Sequence, residues 1–230
     1  MSTFVDFSGN IFNSEADAIV VTVNCVGFMG KGMALECALR FPDVERQYKA
    51  DCSAGKVIVG KLNWIKLDSG KFLILFPTKT DYKFPSKTEY IKAGLNGLLS
   101  DLGVFNIGSI AIPRLGSELG GLNWDNVRPL IVDSLENSSL QIEMWSFSNS
   151  ENDPLMLMLN QQLLDSPSEV SRAIKVSINQ ISTISSFLDR NHGASAVDLL
   201  SVPGVGKTTV KKLINFARKS QSLSELTLFD

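Results

Sequence analysis

The apolar run Ala18 to Val23 ends on a polar residue, Asn24, passes through three spaced glycines (Gly27, Gly30, Gly32) and opens onto a helical stretch from about Met33 to Arg40. This order constrains the fold more than any other feature of the chain. Ala18–Val23 reads as a buried strand, short and apolar between polar neighbours. A polar strand end followed by glycines and a helix is how an α/β domain meets an anionic, nucleotide-like ligand. Lacking Cβ atoms, the glycines let the backbone approach a ligand closely and adopt φ > 0.

The first 147 residues continue this alternation. Strands are expected at Thr3–Phe7, Ala18–Val23, Lys61–Lys66, Phe72–Phe76, Ser109–Ile112 and Gln141–Ser146. Helices are expected at Met33–Phe41, Asp43–Ala54, Lys87–Leu102 and Asp125–Leu135. In the Lys87 helix, Tyr90, Ile91, Leu95, Leu98, Leu99 and Leu102 fall on roughly one face. Strands alternating with helices imply an α/β domain with a mixed, mainly parallel sheet covered on both faces. Ligands of such sheets sit beyond the carboxyl ends of the strands.

Composition shifts near Ser146. The stretch 148–169 is rich in Ser, Asn, Asp and Pro and reads as a linker, with a short helix at about Leu155–Leu164. From Val170 the pattern is helical, over roughly Val170–Arg190, Ala196–Leu200 and Thr208–Lys219. The 230 residues therefore divide into a sizeable domain, 1–147, and a small all-α domain, 170–230. An apolar content of 44% is enough for a real core.

The remaining composition narrows the function. A net charge of −2 argues against a nucleic-acid coat protein, although a total hides local patches. Cys25, Cys37 and Cys52 are odd in number and sparse, which suits a reducing compartment better than a disulfide framework. There is no C-x-x-C pair and His192 is the only histidine, so no metal site or cofactor is expected. The N-terminal stretch does not read as a signal peptide. No segment approaches the roughly 18 apolar residues that span a bilayer. A cytoplasmic, monomeric protein without membrane contact is expected.

Three loops converge if the sheet is parallel. They are Asn24–Ala34, Phe76–Lys79 and Pro113–Leu122, each following an apolar strand. The third, Pro-Arg-Leu-Gly-Ser-Glu-Leu-Gly-Gly-Leu, can aim successive backbone N–H groups at a diphosphate. Singly, each has a plainer reading. Glycine loops are often only turns, Asn24 can cap a strand end, and Lys79 alone would be a solvated charge. Met29 and Met33 read as packing. Co-location of the three loops is what singles them out.

Taken in order, Ser-Gly-Asn-Ile-Phe (8–12), Val-Asn-Cys-Val-Gly-Phe-Met-Gly-Lys-Gly-Met-Ala-Leu (23–35), Phe-Pro (41–42), Phe-Pro-Thr-Lys (76–79) and Ile-Pro-Arg-Leu-Gly-Ser-Glu-Leu-Gly-Gly-Leu-Asn-Trp (112–124) resemble a macrodomain. The resemblance covers residues 1 to about 147. It is strongest to the DNA ADP-ribosyl glycohydrolases that act as antitoxins to a DNA ADP-ribosyltransferase. It implies a three-layer α/β/α domain binding ADP-ribose. Asn10 and Ile11 would lie at the adenine end, with Asn10 where many macrodomains carry Asp. Thr22, Val23 and Asn24 would line the distal ribose. Lys31, Gly32, Met33 and Ala34 would continue that wall, with Thr78 beside it. Leu115, Gly116, Ser117, Glu118, Leu119, Gly120 and Gly121 would hold the diphosphate.

Lys79 matches the lysine to which that branch assigns catalysis. An amine serves as nucleophile or general base only once neutral, and desolvation or a second cation, for which Lys31 is the candidate, favours that form. A neutral amine could attack C1 of the distal ribose or an opened-ring aldehyde, after which water releases ADP-ribose. A related branch acting on amino-acid side chains pairs its lysine with an Asp at the position of Gly120. Glu118 stands where a small residue is usual. The resemblance also implies ADP-ribosylated DNA as substrate and a cognate DNA ADP-ribosyltransferase as partner. Other outcomes for this site are an ADP-ribose-1''-phosphate phosphatase, a protein de-ADP-ribosylase, or a non-catalytic ADP-ribose reader held on DNA.

Near the C-terminus, Gly204-Val205-Gly206-Lys207-Thr208-Thr209 looks like a phosphate-binding loop. Ser201 stands where that motif needs glycine, however, and only about twenty residues follow. The stretch resembles a helix–hairpin–helix motif instead, whose hairpin N–H groups contact DNA phosphates without reading sequence. Gly204, Gly206, Lys207, Thr208 and Lys211 are its candidate DNA contacts. Residues 199–220 carry Lys207, Lys211, Lys212, Arg218 and Lys219 and no acid. A solvated helix face, with a hairpin that merely packs a bundle, is the alternative.

Overall fold

The computed structural model describes residues 1–226. Residues 227–230, the end of the expected helical domain, lie outside the described residues. The chain divides into two compact units. One is Met1–Cys37 with Asp43–Phe147, and the other is Ala38–Pro42 with the chain from Ser148 onward.

The first unit is built on six strands: β1 (Thr3–Ser8), β2 (Ala18–Val23), β3 (Asn63–Lys66), β4 (Phe72–Pro77), β5 (Ser109–Pro113) and β6 (Gln141–Ser146). Their spatial order is β1-β6-β5-β2-β4-β3. All neighbours are parallel except β3 and β4. The alternation that the sequence predicts is therefore present, and β2, β4 and β5 lie side by side at the centre of the sheet. Their side chains alternate between faces. Ala18, Val20, Ile74, Phe76, Ile110 and Ile112 form one core with helices α3 (Thr88–Phe105) and α4 (Trp124–Leu135). Ile19, Val21, Leu73, Leu75 and Ala111, at alternate positions, are equally buried, as a sheet covered on both faces requires. Helices α1 (Gly32–Arg40) and α2 (Pro42–Ser53) follow β2 directly.

In α3 the buried stripe is Ile91, Gly94, Leu95 and Leu98. Leu99, expected on that face, is exposed, because it stands one residue, about 100°, beyond Leu98 on the helix. Asn123 caps α4 by accepting from the Asp125 N–H at 2.8 Å.

The second unit contains α5 (Pro154–Asp165), α6 (Pro167–Ile174), α7 (Ile178–Arg190), a 3-10 turn at Asp198–Ser201 and α8 (Lys207–Leu226). The stretch 148–169, read from composition as a linker, carries all of α5 and the start of α6. Met156, Leu159 and Leu163 of α5 are buried, so this segment is core to the unit. Asp153 starts α5 by accepting from the Leu155 N–H at 3.1 Å. It also pairs with the buried guanidinium of Arg40. The single helix expected over Val170–Arg190 is two, because Lys175 takes a left-handed conformation (φ 57°) and Ser177 starts α7 by accepting from the Gln180 N–H. Among the described residues, no helix is long and apolar enough to cross a membrane.

Candidate functional site

The parallel register brings the ends of β2 and β4 together. Val23 lies opposite Pro77, and the Thr78 N–H donates to the Val23 carbonyl at 3.0 Å. Asn24 and Thr78 are thus neighbours at the carboxyl edge, both buried. The loop after β5 enters the same edge, where ligands of such sheets bind.

Leu119 ties the three loops to one another. The Nζ of Lys79, from the second loop, donates to the Leu119 carbonyl of the third loop at 2.6 Å. The Leu119 side chain lies over Gly32 of the first loop, and a Cβ at Gly32 would come within 3.0 Å of Leu119 Cδ1. Gly32 also has φ +53°, so its position combines a left-handed backbone with a close approach. The Cys25 N–H donates to the Thr80 carbonyl at 3.2 Å, which joins the first and second loops directly.

The third loop is a cradle of amides. The Ser117, Gly121 and Leu122 N–H groups close turns within it, to Arg114, to Ser117 and Glu118, and to Gly116 respectively. The N–H groups of Gly116, Glu118, Leu119 and Gly120 have no acceptor among the described residues. Unsatisfied amides clustered in one turn suit an anion. Gly120 makes this turn possible, because a Cβ there would stand 2.0 Å from the Gly116 carbonyl oxygen and 2.6 Å from Ser86 Oγ. No side chain fits position 120 in this loop, so an acid facing Lys79 from that position is sterically excluded. Glu118 is exposed, which places its carboxylate in solvent.

Asn24 has a different role from that of a free hydroxyl-binding group. Its Oδ1 accepts from the Val26 N–H at 3.0 Å and the Phe28 N–H at 3.2 Å, and its Nδ2 donates to the Phe28 carbonyl at 2.7 Å. The Tyr48 hydroxyl lies 2.6 Å from the Asn24 carbonyl and 3.1 Å from Oδ1. Asn24 therefore knits the glycine loop and leaves one amide hydrogen for a ligand. Burial pushes the Tyr48 phenol well above its usual range, so it remains a neutral donor. Burial also raises the Cys25 and Cys52 thiols, which disfavours a reactive thiolate at either.

At the far end of the site, Asn10 accepts from the Phe12 N–H through Oδ1 and donates through Nδ2 to Glu36 Oε1 at 3.2 Å. Both residues are buried. This pairing accounts for Asn at position 10, because an Asp would set a second carboxylate against that of Glu36. Ile11 is buried beside it, and the Thr22 hydroxyl lies 4.0 Å from Met33 Sδ. Val23 and Leu115 are buried, Met33 and Ala34 are partly so, and Lys31 is exposed.

Sequence reasoning missed Tyr48, Glu36 and Ser86. Ser86 donates its N–H to the Gly120 carbonyl at 2.9 Å, and its buried Oγ has no partner. Tyr48 and Glu36 reach the site from α2 and α1, and Ser86 from the loop that leads into α3, all outside the motif stretches. A shallow recess lined by Asp17, Gly70, Lys71 and Asn106 lies at the opposite, amino-terminal edge of the strands.

In the second unit, the hairpin after the 3-10 turn buries Val202 and Val205 and exposes Gly204, Gly206, Lys207 and Thr208. The Gln180 amide holds it by donating to the Pro203 carbonyl at 2.8 Å. The cationic stripe expected from sequence is partly used internally. Lys212 Nζ donates to the Ile174 carbonyl at 3.0 Å, and the Arg218 guanidinium lies 4.4 Å from the centre of the Phe41 ring. Lys211 is partly buried.

The Macro domain family model matches residues 20–131, the segment that carries all three loops. The DNA ADP-ribosyl glycohydrolase of Mycobacterium tuberculosis is 41% identical over 132 residues, covering 56% of this chain and 38% of that relative. The macrodomain of Mycobacterium tuberculosis DarG superposes with a TM-score of 0.62 at 35% identity, covering 64% of this chain and 100% of that domain. Thermosipho africanus DarTG, solved in complex with ADP-ribose, superposes with a TM-score of 0.58 at 30% identity, covering 64% of this chain and 42% of that one. The chain belongs to the macrodomain family. It spans about two-fifths of the length of the curated DNA ADP-ribosyl glycohydrolases that it matches.

Proposed function

We propose that this chain is an ADP-ribosyl glycohydrolase that removes ADP-ribose from DNA bases and so reverses a DNA ADP-ribosyltransferase. The observation that carries this reading is the position of Lys79. Its Nζ stands at the edge of an amide cradle suited to a diphosphate, beside the end of β2. The relatives named for this activity support the choice of DNA. The diphosphate would rest on the amides of Gly116 and of 118–120. The distal ribose would lie along Val23, Asn24 and Gly32–Ala34, which brings its C1 toward Lys79.

In the reaction, the bond from C1 of the distal ribose to the base breaks and the base takes up a proton. The Lys79 amine forms a transient bond to that carbon, or it draws a proton from the attacking water, and the proton passes to the departing base. Water supplies the hydroxyl that ends on C1, and the amine is restored. The excluded side chain at position 120 leaves Lys79 to act without an acid at that position of the third loop.

The second unit, on this reading, holds the DNA strand. The exposed hairpin amides and Lys207 at the start of α8 suit a phosphate. The protein acts as a cytoplasmic monomer, with a DNA ADP-ribosyltransferase as its functional counterpart.

The test is release of ADP-ribose from ADP-ribosylated single-stranded DNA by the full chain, parent against Lys79→Ala. Turnover by the parent and loss in the variant are expected. Tight ADP-ribose binding with no turnover on modified DNA, modified protein or ADP-ribose-1''-phosphate would make the protein a reader. Lys207→Glu combined with Lys211→Glu should raise the KM for DNA and weaken its salt dependence, and should leave the Kd for free ADP-ribose unchanged.

A further inference from the structure

The rim of the first and second loops carries an aromatic pair that the ADP-ribose site does not use. Phe28 and Tyr82 pack ring on ring, with centroids 4.3 Å apart and planes tilted by 37°. Each is 45% exposed. Large apolar rings held half in water need an explanation when they are also held still. Phe28 is fixed from both sides of its peptide, since Asn24 accepts from its N–H and donates to its carbonyl. The far edge of its ring lies against Gly30, where a Cβ would come within 2.2 Å of it. Position 30 thus provides a seat for the ring. Tyr82 stands three residues beyond Lys79, and the Cys25–Thr80 bond holds its loop to that of Phe28.

The chemistry around the pair complements a strand of nucleic acid. The run Lys79-Thr-Asp-Tyr-Lys-Phe-Pro-Ser-Lys-Thr-Glu-Tyr90 interleaves cations with aromatic rings. Lys83 Nζ lies 5.7 Å from the Tyr82 ring centre, and Lys87 Nζ lies 5.5 Å from that of Tyr90. Phe84 is more exposed still, at 61%. Rings offer a stacking face to any base, and the cations between them offer partners to phosphates. An apolar protein partner would draw no advantage from lysines set against the rings.

We propose that Phe28 and Tyr82 form a platform on which a base of single-stranded DNA stacks as its ADP-ribose enters the cleft, with Lys83 meeting a neighbouring phosphate. This rests on the glycohydrolase reading and adds a subsite to it. The platform binds the part of the substrate that free ADP-ribose lacks. It therefore governs the KM for modified DNA and not the affinity for ADP-ribose.

The test uses the full chain and the variants Phe28→Leu, Tyr82→Leu and the double variant, which keep apolar bulk and remove the π faces. Four quantities are measured: the KM and kcat for ADP-ribosylated single-stranded DNA, the Kd for free ADP-ribose, and quenching of an unmodified oligonucleotide that contains a fluorescent adenine analogue. The double variant should raise the KM by about tenfold or more, leave the ADP-ribose Kd within about twofold, and abolish the quenching. Tyr82→Trp should restore the parent KM in the Tyr82 series, which loss of folding could not explain. An unchanged KM in the double variant, with the parent active, overturns the platform and leaves the glycohydrolase reading intact. If the parent releases nothing from DNA, the glycohydrolase reading fails, and the quenching alone decides the platform. Quenching lost in the double variant upholds it, and quenching absent or unaltered overturns it.

Discussion

Lys79 Nζ donates to the carbonyl of Leu119 at 2.6 Å, so the candidate catalytic amine is also the clasp between the second and third loops. The two roles can be separated by substitution. Lys79→Arg keeps a donor able to reach Leu119 but replaces the amine with a guanidinium, which is no nucleophile or base. Lys79→Ala removes both. We predict that both variants lose activity on ADP-ribosylated DNA by at least about 100-fold, the usual scale for a general base or nucleophile. Only Lys79→Ala should also weaken ADP-ribose binding, through a loosened third loop. Calorimetric Kd values alongside single-turnover rates check this, and recovery of activity in Lys79→Arg would assign Lys79 to positioning alone.

Gly120 should tolerate no side chain. A Cβ there meets the Gly116 carbonyl at 2.0 Å, which is a backbone contact that no rotamer can relieve. Gly120→Ala must therefore shift the turn and scatter the amides at 116 and 118–120. The predicted outcome is a loss of ADP-ribose affinity of about tenfold or more, with a lower unfolding midpoint. Gly120→Asp should fall further and gain no second catalytic acid. An active Gly120→Asp protein with unchanged affinity would show that the loop adopts another conformation with ligand bound.

What the sequence revealed and what it concealed have physical causes. The strands Ala18–Val23 and Gln141–Ser146 are legible to the residue because short apolar or alternating runs end sharply at polar neighbours. The convergence of the three loops follows from parallel order alone. The role of Asn24 was not legible, because its partners Tyr48 and Phe28 are set by how the loop closes on itself and on α2. The helix expected at about Leu155–Leu164 is α5, but composition assigns its surroundings to a linker, since the polar Ser-Asn-Ser-Glu-Asn-Asp stretch before it masks Met156, Leu159 and Leu163, which helical spacing carries into a core. The five cations of 199–220 looked alike in sequence. Only packing shows that Lys212 and Arg218 are engaged within their own unit.

The Asn10–Glu36 pair predicts a compensating double substitution. Asn10→Asp replaces a donor to the Glu36 carboxylate with a second buried carboxylate at about the same place. An unsatisfied buried polar group costs about 1–3 kcal/mol, and a charged one costs more. Asn10→Asp alone should therefore lower stability by about 2 kcal/mol or more. Adding Glu36→Gln returns a neutral donor to face the new carboxylate and should recover most of the loss. Urea unfolding of the four proteins of the cycle reads this directly. Additive effects would mean that the two side chains do not interact.

Asp17 predicts the acid limb of stability. Its Oδ2 accepts from the Gly108 N–H at 2.8 Å, the Ser109 N–H at 2.9 Å and the Ser109 hydroxyl at 3.0 Å, fixing the start of β5 beside the start of β2. The Gly108 bond is the largest cause of a carboxyl held below its usual range. The bonds from Ser109 and the charge of Lys71 act in the same direction, against the opposing effect of burial. A depressed folded pKa means that the unfolded chain binds the proton more readily. The stabilisation is therefore present above the unfolded value of about 3.9 and is lost as pH falls through the lower folded value. Asp17→Asn keeps an acceptor oxygen but not the charge. Its deficit against the parent should be full at about pH 6 and should shrink below about pH 4. Urea midpoints measured across that range test it, and a deficit independent of pH would show that the Asp17 charge contributes nothing to the joint.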